Sequence, residues 1–253
     1  MKNIPNIFTL LNLCMGCIAI ILILQTNESI LSMQGNEWRI YFPESIAWAS
    51  VFLLLAAVID FFDGFVARLF KATSEMGKQL DSLADVVSFG VAPGLILYQL
   101  LRVSMAAEPM GLETSSSWLV PAMFFPMAAA WRLARFNLDT THKNYFEGVP
   151  TPAAGLLIAS FPLLMLYNPY NIQLILTNKW ALYFICLIMP WLMISKLPLM
   201  NLKFKQFSFK ENKPRYLLLI ISAVLIIFLG WLSVIGIFIT YILLSLVFKN
   251  QLT

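Results

Sequence analysis

The run Ile46-Ala-Trp-Ala-Ser-Val-Phe-Leu-Leu-Leu-Ala-Ala-Val-Ile59 carries no charge and leads straight into Asp60-Phe-Phe-Asp63-Gly64-Phe-Val-Ala67-Arg68. Eight residues later, Gly77-Lys78-Gln-Leu-Asp81-Ser-Leu-Ala-Asp85 opens another apolar run. Stretches of this kind read as membrane helices. Carboxylates are costly inside a bilayer, so four of them beside two apolar helices imply cationic partners, a water-filled cavity, or both. Function is to be sought there first.

Working outward, the 253 residues are 60% hydrophobic and 12% charged, far from the balance of a soluble domain. Apolar runs recur at 4–24, 46–70, 77–101, 118–137, 152–168, 178–194, 215–229 and 231–248. The expected fold is therefore all-α, a polytopic transmembrane bundle of about eight helices: six in a core at 1–194, a basic cytoplasmic loop at 195–214, and a C-terminal pair at 215–248. Several later runs fall short of the roughly 20 residues a perpendicular span needs, so helices 7 and 8 can instead form a shallow hairpin. The whole chain reads as one integral membrane domain. The first run follows a lone Lys2 but is too long for a signal-peptide core and lacks a small-residue cleavage site, so it counts as helix 1.

Charge placement supports this count independently. With eight spans and a cytoplasmic N-terminus, all of the 17 basic residues except Arg39, Arg102 and Lys179 fall on the cytoplasmic side. That is the bias the positive-inside rule demands, and it puts the aspartates in the cytoplasmic half. The net charge of +4 thus reads as topology and contact with anionic lipid, with no nucleic acid implied.

Asp60 and Asp63 lie one turn apart on a helix face, as do Asp81 and Asp85 on the next helix. In an antiparallel pair, residues at equal depth have position numbers adding to a constant, and Asp60 with Asp85 and Asp63 with Asp81 meet that condition to within one. The carboxylates then form two opposed layers, roughly 6 to 12 Å inside the start of the second helix. Packed there they repel one another unless cations neutralise them, and two divalent ions would balance four charges. Hard oxygen donors with no nearby His or Cys suit Mg²⁺, Mn²⁺ or Ca²⁺ rather than zinc. Gly64 and Ala67 leave space beside the Asp60 face, and Arg68, Gly77 and Lys78 flank it, which suits a diphosphate.

Taken together, Asp60-x₂-Asp63-Gly64-x₂-Ala67-Arg68-x₈-Gly77-x₃-Asp81-x₃-Asp85 resembles the complete signature of the CDP-alcohol phosphatidyltransferase family. The resemblance implies an enzyme that displaces CMP from CDP-diacylglycerol with an alcohol. It implies Asp60, Asp63 and Asp81 as metal ligands, and Asp85 as the general base that also touches a metal. Gly64, Ala67, Arg68, Gly77 and Lys78 would then bind CDP-diacylglycerol. Two further stretches, Ile4-Pro-Asn-Ile-Phe-Thr-Leu-Leu-Asn-Leu-Cys-Met-Gly16 and Arg132-Leu-Ala-Arg135-Phe-Asn137 followed by Gly148-Val-Pro-Thr-Pro-Ala153, resemble the branch of bacterial phosphatidylserine synthases. They imply L-serine as acceptor, with Arg132 and Arg135 able to bind its carboxylate. The likeness covers about the first 160 residues. Expected partners are the two substrates and membrane lipids, with a homodimer left open.

Other readings stay open at this stage. The same chemistry could serve glycerol 3-phosphate or an inositol phosphate, and aspartate-rich membrane helices also occur in UbiA-like prenyltransferases and divalent-cation transporters. Arg132 and Arg135 could be no more than a positive-inside anchor. Pro150 and Pro152 read as the start of a helix. Gly90 and Gly94 around Pro93 read as a packing and kink site. Cys14, Cys17 and Cys186 lie in apolar spans without a second ligand pair, and the lone His142 sits in a polar loop. The topology yields a direct expectation: single cysteines at positions 143 and 113 should show opposite accessibility to an impermeant thiol reagent in intact cells, and equal labelling of both would overturn the eight-span arrangement.

Overall fold

The computed structural model describes residues 4–25, 31–34, 37–40, 43–69, 74–108, 115–139, 145–167, 169–201 and 212–249. It is a helical bundle. Helix α1 (Ile4–Leu24) packs along α2 (Glu44–Leu69), and a short ribbon of β1 (Leu31–Gln34) with β2 (Glu37–Ile40) lies between them in sequence. Next come α3 (Glu75–Asp85), a π-helical turn (Val86–Val91) and α4 (Ala92–Ala106), which run on without a break. A 3₁₀ segment (Ser116–Met123) leads into α5 (Phe124–Leu138), followed by β3 (Tyr145–Glu147) and α6 (Thr151–Tyr167). The short α7 (Gln173–Leu176), α8 (Lys179–Ile194), β4 (Pro198–Met200), α9 (Lys213–Leu229) and α10 (Ser233–Val247) complete the order.

Among the described residues, and with Glu75–Ala106 taken as one continuous helix, the long helices follow the expected runs to within a few residues, the run expected from 118 beginning as the 3₁₀ segment before α5. Four stretches, Pro5–Leu24, Glu44–Val66, Glu75–Ala106 and Lys213–Val247, are long and apolar enough to cross a membrane, and the pair Pro169–Leu176 and Lys179–Ile194, bent by 82°, would be a fifth. Thr151–Tyr167 is apolar but shorter and Phe124–Leu138 is shorter still, so length alone does not qualify each of the eight expected spans. Two features depart from the reading as helices and loops alone. Residues 145–147 and 198–200, expected as loop, pair antiparallel as β3 and β4, with Tyr145 opposite Met200 and Glu147 opposite Pro198. The expected helix 3 is not uniformly α-helical: its ladder widens over Val86–Val91, where the Ala92 N–H donates to Val87 O.

That widening has a cause in the sequence. Pro93 has no N–H to return to the carbonyl four residues earlier, so the hydrogen-bond register shifts around it. The bulged turn becomes the hub of the bundle because glycines let three helices touch it. A Cβ on Gly16 of α1 would lie 2.3 Å from Ser88 Oγ, one on Gly155 of α6 would lie 2.6 Å from Phe89 O, and one on Gly90 would lie 2.9 Å from the Ala129 Cβ of α5. Gly94 likewise accepts Pro126. The expected packing role of Gly90 and Gly94 is thus what the structure shows. Phe89, Ile96, Phe125, Ala129 and Ile158 are fully or almost fully buried around this hub.

Helices α9 and α10 form an antiparallel hairpin. Gly230 stops α9 with a positive φ of 52°, a conformation glycine tolerates, and both open ends of the pair return to one segment: Arg215 Nε donates to Asn201 O at 2.8 Å and Tyr241 Oη to Met200 O at 2.9 Å. Residues 202–211 of the expected basic loop lie outside the described residues.

Because the Gly155 contact is to backbone, which cannot swing aside, Gly155→Ala should cost about 1–3 kcal/mol. Thermal denaturation of the purified protein in detergent checks this; an unchanged midpoint would contradict the close approach of α6 to the π turn.

Candidate active site

One end of the bundle holds a cavity of about 320 Å³, formed where α1 begins, α2 ends and α3 begins. Helix α1 lends Pro5, Asn6 and Thr9; α2 lends Asp60, Asp63 and Gly64; the start of α3 lends Ser74, Gly77, Lys78 and Asp81. Ser74 caps α3, its Oγ accepting from the Gly77 N–H at 3.0 Å. Gly77 is needed for closeness: a Cβ there would lie 3.1 Å from Ser74 Oγ and 3.2 Å from Asn6 Oδ1. Gly64 is the opposite case, since a Cβ would meet nothing within 4 Å. Its missing side chain leaves cavity, not packing.

Asp60, Asp81 and Asp85 each present a carboxylate oxygen, and these lie within 4.8 Å of one another. The opposed helices do bring the aspartates together, but as a triad with a neighbour rather than as two equal layers. Asp63 stays on the cavity wall, where the Thr9 hydroxyl donates to its carboxylate. Asp85 is buried below, one residue before the π turn, and takes a hydrogen bond from Asn12 Nδ2 at 3.4 Å. Asn12 is held in turn by its own carbonyl, which accepts from Ser88 Oγ at 3.1 Å across the Gly16 contact. No basic side chain among the described residues forms an ion pair with these four carboxylates. Three converging oxygens with no ion pair among the described residues, and without nitrogen or sulfur donors, fit a hard divalent cation.

The other expected residues divide. Lys78 lines the cavity and donates to Asn137 O at 3.0 Å, tying α3 to the end of α5, and Asn137 Nδ2 donates to Ser82 Oγ at 2.8 Å. The side chains of Ala67 and Arg68, and His142, lie outside the described residues. Arg132 is buried within electrostatic reach of Asp85; its guanidinium donates to Thr151 Oγ1 at 3.2 Å and its Nε has no hydrogen-bond partner among the described residues. Arg135 is partly exposed, ion-paired with Glu147 and donating to Ile194 O at 3.2 Å. The two arginines therefore differ: one is sunk beside the aspartates with a donor to spare, and the other is braced at the rim. Cys14 and Cys17 point outward from α1, away from any ligand set.

Thr9 and Asn12 were not singled out by residue in the sequence, although their stretch was. The signal was there: between Ile4 and Cys14 the polar side chains are Asn6, Thr9 and Asn12, spaced by three along one face of an otherwise apolar helix.

A family model for CDP-alcohol phosphatidyltransferase matches residues 2–248. The chain belongs to this family. Similar proteins named CDP-diacylglycerol–serine O-phosphatidyltransferase include that of Helicobacter pylori, 37% identical over 175 residues, which cover 68% of this chain and 69% of that protein. The Bacillus subtilis protein is 37% identical over 123 residues, 48% of this chain and 62% of the relative. The Saccharomyces cerevisiae protein is 38% identical over 125 residues, 46% of this chain and 41% of the relative. For several such relatives the chain spans only about half their length. Membership sets aside the prenyltransferase and transporter readings, and enzymes of this family depend on divalent metal in general, in keeping with the carboxylate triad.

The open space at Gly64 gives a sharp expectation. Alanine is favoured over glycine inside a helix by about 0.5–1 kcal/mol, so Gly64→Ala should hold or raise the denaturation midpoint while weakening CDP-diacylglycerol binding. Wild-type affinity in that variant would show that the cavity wall at α2 does not meet the nucleotide.

Proposed function

We propose that this chain transfers the phosphatidyl group of CDP-diacylglycerol to the hydroxyl of L-serine and releases CMP, in a multi-pass fold of the cell's inner membrane with its active site facing the cytoplasm. The observation that carries the reading is the convergence of Asp60, Asp81 and Asp85 beneath a cavity at the end of α2, with Asn12 on Asp85. The serine assignment rests on the names of the relatives and on the suitability of Arg132 and Arg135 for a carboxylate. The orientation rests on segregation of charge: Lys78 lines the cavity, and with helices alternating in direction Arg135, Lys196, Lys213, Arg215 and Lys249 fall at helix ends on that side, whereas Arg102 and Lys179 fall on the other. Within this reading, residues 1–194 form the catalytic core, 195–214 the cytoplasmic link and 215–248 the C-terminal pair.

In the proposed mechanism, Asp60, Asp63 and Asp81 would hold two divalent ions, Mg²⁺ or Mn²⁺, with Asp85 completing the set. Those ions would neutralise the diphosphate and stabilise departing CMP. Lys78, Gly77 and Gly64 seat the CDP moiety; Arg68 and Ala67 share that task by their place in the signature. Asp85 takes the proton of the serine hydroxyl as that oxygen bonds to the lipid-linked phosphorus and the bond from phosphorus to the CMP oxygen breaks. Asn12 fixes the Asp85 carboxylate for this transfer. Arg132 and Arg135 orient the serine carboxylate, so that the hydroxyl rather than the ammonium faces phosphorus.

Acceptor competition tests the assignment. Purified protein with CDP-diacylglycerol, Mg²⁺ or Mn²⁺ and a panel of alcohols should release CMP with serine and form phosphatidylserine. Turnover with glycerol 3-phosphate and none with serine would overturn the acceptor and leave the family intact. In the same assay Asp85→Asn should lose turnover yet keep much of the affinity for CDP-diacylglycerol, whereas Asp60→Asn and Asp81→Asn should lose both together; equal loss of lipid binding in all three would refute the division of roles.

A further inference from the structure

The C-terminal helix hairpin carries no sequence motif, yet its buried polar groups converge on the segment that braces the two arginines. On α10, Tyr241 and Ser245 stand one turn apart on a buried face. Tyr241 Oη donates to Met200 O at 2.9 Å, and Ser245 Oγ accepts from the Met200 N–H at 3.0 Å while donating to Tyr241 O at 2.7 Å. Both backbone groups of Met200 are thus held from α10.

Met200 ends β4, and β4 pairs with β3, which ends in Glu147. Glu147 forms the ion pair with Arg135. The chain then turns at Gly148, with φ of 71° and no room for a side chain: a Cβ would lie 2.4 Å from Met193 O. Gly148 N–H donates to Leu197 O at 2.9 Å and Val149 N–H to Leu192 O at 3.1 Å, which locks the turn onto the end of α8. Two residues on, Thr151 receives the Arg132 guanidinium. Tyr241 is itself an electrostatic neighbour of Arg132. From α10, therefore, the bonded path through β4 and β3 reaches both arginines. A mere anchor for the hairpin would need only apolar contact and would not have to end there.

We propose that Tyr241 and Ser245 are positioning residues for the acceptor alcohol: they fix β4, and through β3 they set the Glu147–Arg135 pair and the Thr151–Arg132 contact. This rests on the phosphatidyl-transfer reading, with the arginines on the acceptor side, and assigns the hairpin a part in specificity.

The test is kinetic and uses the full chain. Tyr241→Phe deletes one hydroxyl and Ser245→Ala another. For the alcohol that the wild type prefers, each should raise KM about three- to tenfold, the range expected for one lost hydrogen bond, while KM for CDP-diacylglycerol stays unchanged. Glu147→Gln, which weakens the last link, should show the same split. An unchanged acceptor KM in Tyr241→Phe and Ser245→Ala, or an equal rise for both substrates, would overturn the proposal. Because the measurement follows whichever alcohol is accepted, failure of serine as a substrate counts against the proposed function alone.

Discussion

Four carboxylates meeting near the end of two apolar helices impose the constraint on which the rest of this structure depends. In a low-dielectric setting they repel one another, and an unpaired buried charge is among the costliest features a fold can carry. Among the described residues no ion pair meets this cost, although Arg132 lies within electrostatic reach of Asp85. The chain surrounds the group with neutral donors from α1, Thr9 on Asp63 and Asn12 on Asp85, and leaves a cavity on the open side. Such a site suits cations brought in from outside, since among the described residues no lysine or arginine is ion-paired to these carboxylates.

Bringing α1 close enough to supply those donors requires the bundle's small residues. Gly16 rests against Ser88, Gly155 against Phe89 and Gly90 against Ala129, so three helices converge on one bulged turn directly after Asp85. The turn exists because Pro93 interrupts the ladder, and it places irregular backbone where protein, not lipid, surrounds it. Packing and chemistry share a hub: what fixes Asp85 also fixes the core.

The acceptor side is built differently. Arg132 and Arg135 come from one helix, but their partners Thr151 and Glu147 flank a glycine turn, and the strand across from it is secured by helices far along the chain. The carboxylate cluster depends on neighbours in sequence, whereas the arginines that we propose for the acceptor depend on long-range closure by β4 and the hairpin. In the proposed reading this separation would let the acceptor change without disturbing the aspartates.

Sequence by itself determined the helices and the family. Apolar runs can be recognised by length and composition alone, so the long helices among the described residues follow the expected runs, and eight fixed positions between Asp60 and Asp85 identified the signature. It also brought the four aspartates to one depth, because two antiparallel helices joined by a short link have only one depth register, but it expected two opposed layers where the structure has a triad of Asp60, Asp81 and Asp85 with Asp63 beside it. Tertiary structure alone decided the rest. Hydrogen bonds between segments leave no periodic trace, so the pairing of Asp63 with Thr9, the β3–β4 ribbon and the ties from Tyr241 and Ser245 to Met200 could not be read in advance. Nor could the sequence distinguish Gly64, which leaves space for a ligand, from Gly77, which leaves space for α1: the difference lies in what stands opposite each missing side chain.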